Sequence, residues 1–187
     1  MKLIKIAFSF IIIVVFVFCL VFGISGYSLY NKAVSNIPLS EKVTKIRSSE
    51  NFIEYTNLPD NLINATIAVE DHRFRNHGAV DFIAIARAIT SNIRAKNAVE
   101  GGSTITQQVA KNLYFMEEKD NFSRKSAELI LSYHLEKNYT KEEIFELYVN
   151  TIYYGNGYYG IKEAANGYYN KDPKDLTLAE CTLLAGV

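Results

Sequence analysis

Cysteine is nearly absent, with two in 187 residues, Cys19 and Cys181. The first lies in an apolar run and the second in an apolar helical pattern, so they do not pair and a disulfide framework is excluded. With only three histidines, the chain also shows no metal-type Cys/His cluster. A surplus of one charge is missing too. Lys+Arg and Asp+Glu stand at 20 each, a balance that argues against a nucleic-acid binder. There is no internal repeat and no low-complexity segment. What is left is length enough for one domain with a real core, plus an appendage.

The appendage comes first. Residues 6–24 read IAFSFIIIVVFVFCLVFGI, without a charge and long enough to cross a bilayer as a helix. A cleaved signal peptide competes, because Lys2 and Lys5 form a positive n-region. The run exceeds a usual h-region, however, and Gly23-Ile24-Ser25-Gly26 is a weak cleavage site, so a retained single-span anchor is expected. Phe18 before Cys19 argues against a lipoprotein signal. Lys32, Lys42, Lys45 and Arg47 follow the span, yet the short tail with two lysines favours the N-terminus inside and the domain outside. The expected organisation is tail and anchor over 1–26, a connector over 27–57 and a main domain over 58–187. In the connector Tyr27 and Tyr30 suit a membrane interface, and weak alternation around Ser48-Ser49 allows a short β-hairpin.

In the domain, Leu58-Pro59-Asp60 stops the extended chain, and Asp60 or Asn61 can cap a helix carrying Leu62, Ile63 and Ile67. That spacing puts Glu70 one turn beyond Ile67. A carboxylate at the end of a core-facing helix has its pKa raised by burial and lowered again by arginines such as Arg73 and Arg75, a tunable setting for a general base. The bland alternative is a solvated pair, Glu70 and Asp71, facing those arginines. Asp81 suits an N-cap for a helix with Phe82, Ile85, Ile89 and Ile93 on one face. Arg87 and Arg94 look together at one anion, or simply at water. Glu100-Gly101-Gly102 breaks that helix. Thr104 and Gln107 then have capping-box spacing, and the glycine pair before a hydroxyl-rich helix start, with Lys111 a turn on, is a weak anion signal. Ser123 reads as the cap of a helix where Arg124 and Glu128 pair at i,i+4 and His134 faces the core. Two more capping boxes follow, Thr140–Glu143 and Thr177–Glu180. The tyrosines clustered between Tyr139 and Tyr169 either stack sugars or pack a core. The final helix is still apolar at Val187, from which the natural chain is expected to continue.

These segments together resemble glycosyltransferase family 51. The motifs are Glu70-Asp71-His72-Arg73-Phe74 with His77 and Gly78; residues 101–108, GGSTITQQ; residues 124–128, RKSAE; residues 141–150, from KEEI to YVN; and YYG at 153–155 through GIKEAA at 160–165. They come in the family's order over roughly 58–187. These are peptidoglycan glycosyltransferases, either monofunctional or the N-terminal domain of class A penicillin-binding proteins. The resemblance implies a mainly α, lysozyme-like domain with a smaller membrane-facing lobe behind one transmembrane helix. It also implies a single-pass protein of the cytoplasmic membrane with its catalytic domain on the extracytoplasmic side.

By the same resemblance the substrates are lipid II and the growing glycan strand, with no nucleotide sugar, and other cell wall synthesis proteins are expected partners. Glu70 corresponds to the base and Asp71 to its support. Glu128 corresponds to the second acid, aiding the leaving side or holding a divalent cation (Mg or Mn). Lys111, Arg124 and Lys125 would neutralise the leaving pyrophosphate, and Arg73 and Arg87 the second diphosphate. Ser103, Gln107 and Gln108 would bind sugar or phosphate. Inversion wants the two acids well apart, ~6.5–9.5 Å by analogy with inverting glycosidases. Two departures stand out. The flap arginine of many relatives falls here at Lys119 or Asp120, so Lys119 takes its place without a bidentate fork, and Ala127 occupies a position that is often basic. A lysozyme-like glycan-cleaving enzyme and a catalytically idle scaffold of a wall-synthesis complex are the rival readings.

Overall fold

The computed structural model describes residues 2–97 and 101–186. Helices account for almost all of its regular structure. Among the described residues, β pairing amounts to one antiparallel bridge, Tyr153 to Tyr159. This is the mainly α fold behind one apolar helix that the resemblance implies.

The first helix, α1 (Lys2–Asn36), runs unbroken through Gly23 and Gly26, and its portion Ile4–Asn36 is long and apolar enough to cross a membrane. Next comes α2 (Leu39–Arg47), where the sequence allowed a short hairpin. The alternation around 43–46 is a helical stripe instead, since Leu39, Val43 and Ile46 lie at i, i+4 and i+7. Pro38 precedes it, Glu41 sits in its first turn, and Lys45 and Arg47 in its last, a charge order that suits the helix dipole. The second half of the allowed hairpin is extended chain ending in a 3₁₀ turn, Tyr55–Asn57.

The remaining helices are α3 (Asp60–Glu70), α4 (Phe82–Ala95), α5 (Ile105–Ala110), α6 (Asn121–Asn138), α7 (Lys141–Thr151), α8 (Ile161–Tyr169) and α9 (Leu178–Ala185). After α5 the chain widens into a π-helical turn, Lys111–Phe115. The centre of the fold is α7, buried from Ile144 through Val149. Around it Leu62, Ile105, Val109, Leu131, Leu135 and Ile161 are fully enclosed.

The two later capping boxes form as expected, whereas three other ends differ. Pro59 precedes α3, leaving Asp60 inside its first turn. Asp120 caps α6 by accepting from the Phe122 amide, and Ser123 donates to Asp120. A carboxylate three residues upstream wins over a hydroxyl there. At α5, Thr104 accepts from the Gln107 amide, but Gln107 does not return the bond and its side chain is used elsewhere. Glu100 lies outside the described residues; α4 has already ended at Ala95, with Lys96 left-handed. The apolar face of α4 points outward, with Phe82, Ile89 and Ile93 exposed.

The connector is not a loose tether. Glu146, buried on α7, accepts from Arg47 Nε at 3.2 Å and from the Tyr55 amide at 2.9 Å. Asn150 accepts from the Ile53 amide and donates to the Ile53 and Glu146 carbonyls, all at 2.8 Å. Gly160 opens α8 at φ 82°, where a Cβ would stand 2.9 Å from the Asn150 carbonyl oxygen, so only glycine fits without strain. Asn150→Ala strands the Ile53 backbone groups, and thermal or urea unfolding should read a loss of about 2–3 kcal/mol.

Candidate active site

The site is built on α5, and its logic starts at Glu70. Glu70 is the last residue of α3 and half-buried. Its Oε2 accepts from Gln108 Nε2 at 2.6 Å. Asp71 ends the helix and turns inward. Its Oδ2 accepts from the Ile105 amide at 3.1 Å, which is the first amide of α5, and its Oδ1 lies 2.7 Å from His77 Nε2. The acidic pair is thereby divided, Glu70 toward the Gln108 side chain and Asp71 toward the backbone of the same short helix.

The other side of α5 faces α6. Gln107 is buried; its Nε2 donates to the Ala79 carbonyl at 2.9 Å and its Oε1 accepts from Lys125 Nζ at 3.0 Å. Lys125 also donates to Ser103 Oγ at 2.9 Å and meets Glu128 Oε2 at 3.1 Å. Glu128 is 2% exposed, and its Oε1 takes Arg124 at 2.6 Å. Arg124 is oriented in turn by Asn121 Oδ1 at 2.6 Å. One carboxylate thus holds two cations, leaving the cluster one positive charge in excess, which suits an anion at its mouth.

A third group backs the first. Arg73 Nε sits 3.1 Å from Asp81 Oδ2, not on Glu70. Burial alone would raise the Asp81 carboxyl, but the Ala84 and Ile83 amides, Arg73 and His77 together hold it below the ordinary carboxylate range. Arg87 NH1 lies 3.3 Å from both His72 ring nitrogens. Tyr148 on α7 is also near Glu70: burial, then the Glu70 charge, pushes its phenol well up, so the hydroxyl keeps its proton.

The expected residues therefore fall into three groups, one of them Arg73 on Asp81 with Arg87 by His72. Glu70, Asp71, Ser103, Gln107, Gln108, Arg124, Lys125 and Glu128 are brought together around α5. Lys111 and Lys119 are exposed and make no ion pair with either acid among the described residues. His77, Asn121 and Tyr148 were not singled out from the sequence for the parts they play here. The six-residue spacing of Asp71 and His77 and the i,i+3 spacing of Asn121 and Arg124 were the local signals for two of them. A surface hollow of about 530 Å³, lined by Asn51, Tyr158, Lys162, Glu163, Asn166 and Gly167, contains none of these groups.

A divalent cation at Glu128 finds a poor donor set. Both carboxylate oxygens are taken by cations. Among the described residues, the one close group of three ligand-type side chains is Asp71, His77 and Asp81, where Arg73 already rests on Asp81. An ion at Glu128 would need oxygens supplied by a substrate.

Beside this arrangement of two acids flanking a short helix, the sequence itself is similar to known proteins. The sequence model of the family described as Transglycosylase matches residues 38–187. The chain belongs to the transglycosylase family. The match begins in the connector, at the residue before α2. A Cupriavidus necator protein with a provisional transglycosylase name is 42% identical over 151 residues, 81% of this chain and 64% of that protein. Penicillin-binding protein 1A of Neisseria lactamica is 48% identical over 136 residues, 73% of this chain and 17% of its own. Penicillin-binding protein 1F of Bacillus subtilis is 43% identical over 135 residues, 72% and 19% respectively. This chain therefore spans under two thirds of the first of these transglycosylase relatives and under a fifth of the other two.

The depressed Asp81 carboxyl has a consequence for stability. Its folded pKa lies below its unfolded one, so its contribution is present above the ordinary value of 3.8 and is lost as pH falls through the folded value. Acid unfolding of the wild type should steepen below about pH 4. Asp81→Ala should cost about 1–3 kcal/mol at neutral pH and flatten that acid limb, as read by circular dichroism against pH.

Proposed function

We propose that this membrane-anchored chain is a peptidoglycan glycosyltransferase that polymerises lipid II into β-1,4 glycan, its domain lying on the extracytoplasmic face. The observation that carries the reading is the pair of successive glutamines on α5. Gln108 holds Glu70, and Gln107 holds Lys125, which holds Glu128. One rigid segment thus sets an acid on the attacking side and a cationic cluster on the leaving side.

The chemistry follows from the two environments. The acceptor's sugar 4-hydroxyl forms the new bond to the anomeric carbon of the donor strand, and its proton passes to Glu70. The bond from that carbon to the diphosphate oxygen breaks, its electron pair leaving with the lipid diphosphate, so an α linkage becomes β. Arg124 and Lys125 neutralise the charge that develops on the leaving oxygen, and Glu128 fixes both cations in place before the reaction starts. Ser103 and Gln107 hold the Lys125 ammonium toward the same point. Arg73 and Arg87, behind the other acid, serve the second diphosphate, and Lys111 and Lys119 lend exposed charge around it. Asp71 is the support that keeps Glu70 against α5. The donor is lipid-linked, so no nucleotide sugar is needed. The outward apolar face of α4 supplies a surface for the membrane-facing lobe, and other wall-synthesis proteins are its expected company. A hydrolase would have no use for the cationic surplus around Glu128.

Glu70→Gln should lower glycan polymerisation from lipid II by roughly 10²–10⁴-fold while leaving the fold intact. Polymerisation at the wild-type rate by this variant would defeat the assignment. Lys125→Met, which removes one charge-assisted contact to the leaving group, should cost about 10–100-fold, mostly in kcat. Muropeptides released from purified wall, in place of polymer made from lipid II, would instead mark a cleaving enzyme.

A further inference from the structure

The first helix does more than anchor. It runs parallel to α6, because contacts rise together along both. Phe18 and Phe22 pack edge-on against Phe122, with ring centroids 5.5 and 4.9 Å away. Gly26 meets Ser126, and Tyr30 stacks on His134 at 5.2 Å, about one turn further along α1 and two along α6. Tyr114 then donates to the Ile37 carbonyl at 2.7 Å, just past the end of α1. The tightest point is Gly26. A Cβ there would overlap the Ser126 Oγ and Cβ and lie 2.8 Å from its backbone carbon. A residue without a side chain lets the two helices close.

This register fixes a height. Phe22 is level with Phe122 and Gly26 with Ser126, so Arg124 and Lys125 stand level with Ile24 and Ser25, where the apolar run of residues 6–24 ends. Glu128 lies four residues beyond Ile24 in the same register, about 6 Å at the helical rise of ~1.5 Å per residue. Phe122, by contrast, falls within the apolar run, about 3 Å below its end by the same rise.

We propose that α1 is a ruler for the leaving-group site. Packed on α6 through Gly26 and Ser126, it holds Arg124 and Lys125 at the lipid–water boundary, so that a diphosphate on a membrane-embedded lipid is met at headgroup height without leaving the bilayer. The proposal rests on the glycosyltransferase reading, but its first test does not need activity. The chain has no tryptophan, so Phe122→Trp gives a single fluorophore. In phosphatidylethanolamine–phosphatidylglycerol vesicles carrying brominated lipids, the full chain should show blue-shifted emission. Quenching should be stronger from bromines near the glycerol end than from those near the bilayer centre. Emission typical of water and untouched by either lipid overturns the proposal, as does strongest quenching from the central bromines.

The second test uses Gly26→Leu in the folded full chain. It should raise KM for full-length lipid II in vesicles by about tenfold, with little change on a short-tailed, water-soluble lipid II analogue. Gly26→Ala should fall less, and Ser126→Gly should restore Gly26→Ala only in part, because the backbone contact remains. Equal losses on both substrates, or none on either, overturn the ruler. A wild-type chain that polymerises neither substrate refutes the glycosyltransferase reading instead, and the depth of the tryptophan still reports the height.

Discussion

The site depends on where α5 begins. Six residues make a helix too short to hold itself in water, so its position comes from tertiary contacts at its first turn. Asp71 takes the Ile105 amide, Thr104 takes the Gln107 amide, and Ile105, Val109 and Ala110 are fully buried. Each contact satisfies an amide that a helix start leaves open. They also fix the rotation of the helix, and rotation decides which way Gln107 and Gln108 point. Turned by about one residue, roughly 100°, the helix would take Gln108 away from Glu70 and Gln107 away from Lys125.

Asp71 carries this arrangement from one end. Sitting directly after Glu70, it forces α3 to finish where α5 starts, so Glu70 and its amide partner Gln108 meet by construction. His77 completes the joint, one ring nitrogen 2.7 Å from Asp71 and the other 2.7 Å from the Gly78 carbonyl. The Arg73–Asp81 pair beside it serves α4, since Asp81 also caps that helix. Residues that read as one charged string in the sequence are thus sorted among three helices.

Much of this was legible beforehand where the signal is local. Thr140–Glu143 and Thr177–Glu180 cap as their spacing demands, because a capping box needs nothing beyond four consecutive residues. Arg124 and Glu128 pair for the same reason. The errors arise where a long-range partner outbids a local one. Gln107 leaves the reciprocal half of its capping box because the Ala79 carbonyl and Lys125, far away in sequence, offer a buried amide more. The segment 43–46 was ambiguous between period 2 and period 3.6, and the packing of Val43 into the core decided for the helix. The outward face of α4 could not be read at all, since periodicity gives a face but not its direction. Placing Glu128 opposite Glu70 required the family's motif order, for no local rule links positions fifty-eight residues apart.

The Glu128 cluster shows what the fold gives up for its chemistry. A carboxylate with 2% exposure is costly to desolvate, and two cations beside it offset that cost only if their geometry is held. Apolar side chains of similar volume would pack there at least as favourably. The cluster instead places Lys125 among Ser103, Gln107 and Glu128, and Arg124 between Asn121 and Glu128. In the proposed reaction these contacts would absorb the reorganisation that a developing negative charge otherwise demands. Stability alone does not account for a buried acid under two bases. The proposed diphosphate leaving group would account for it, completing a charge balance that Arg124, Lys125 and Glu128 leave one unit positive.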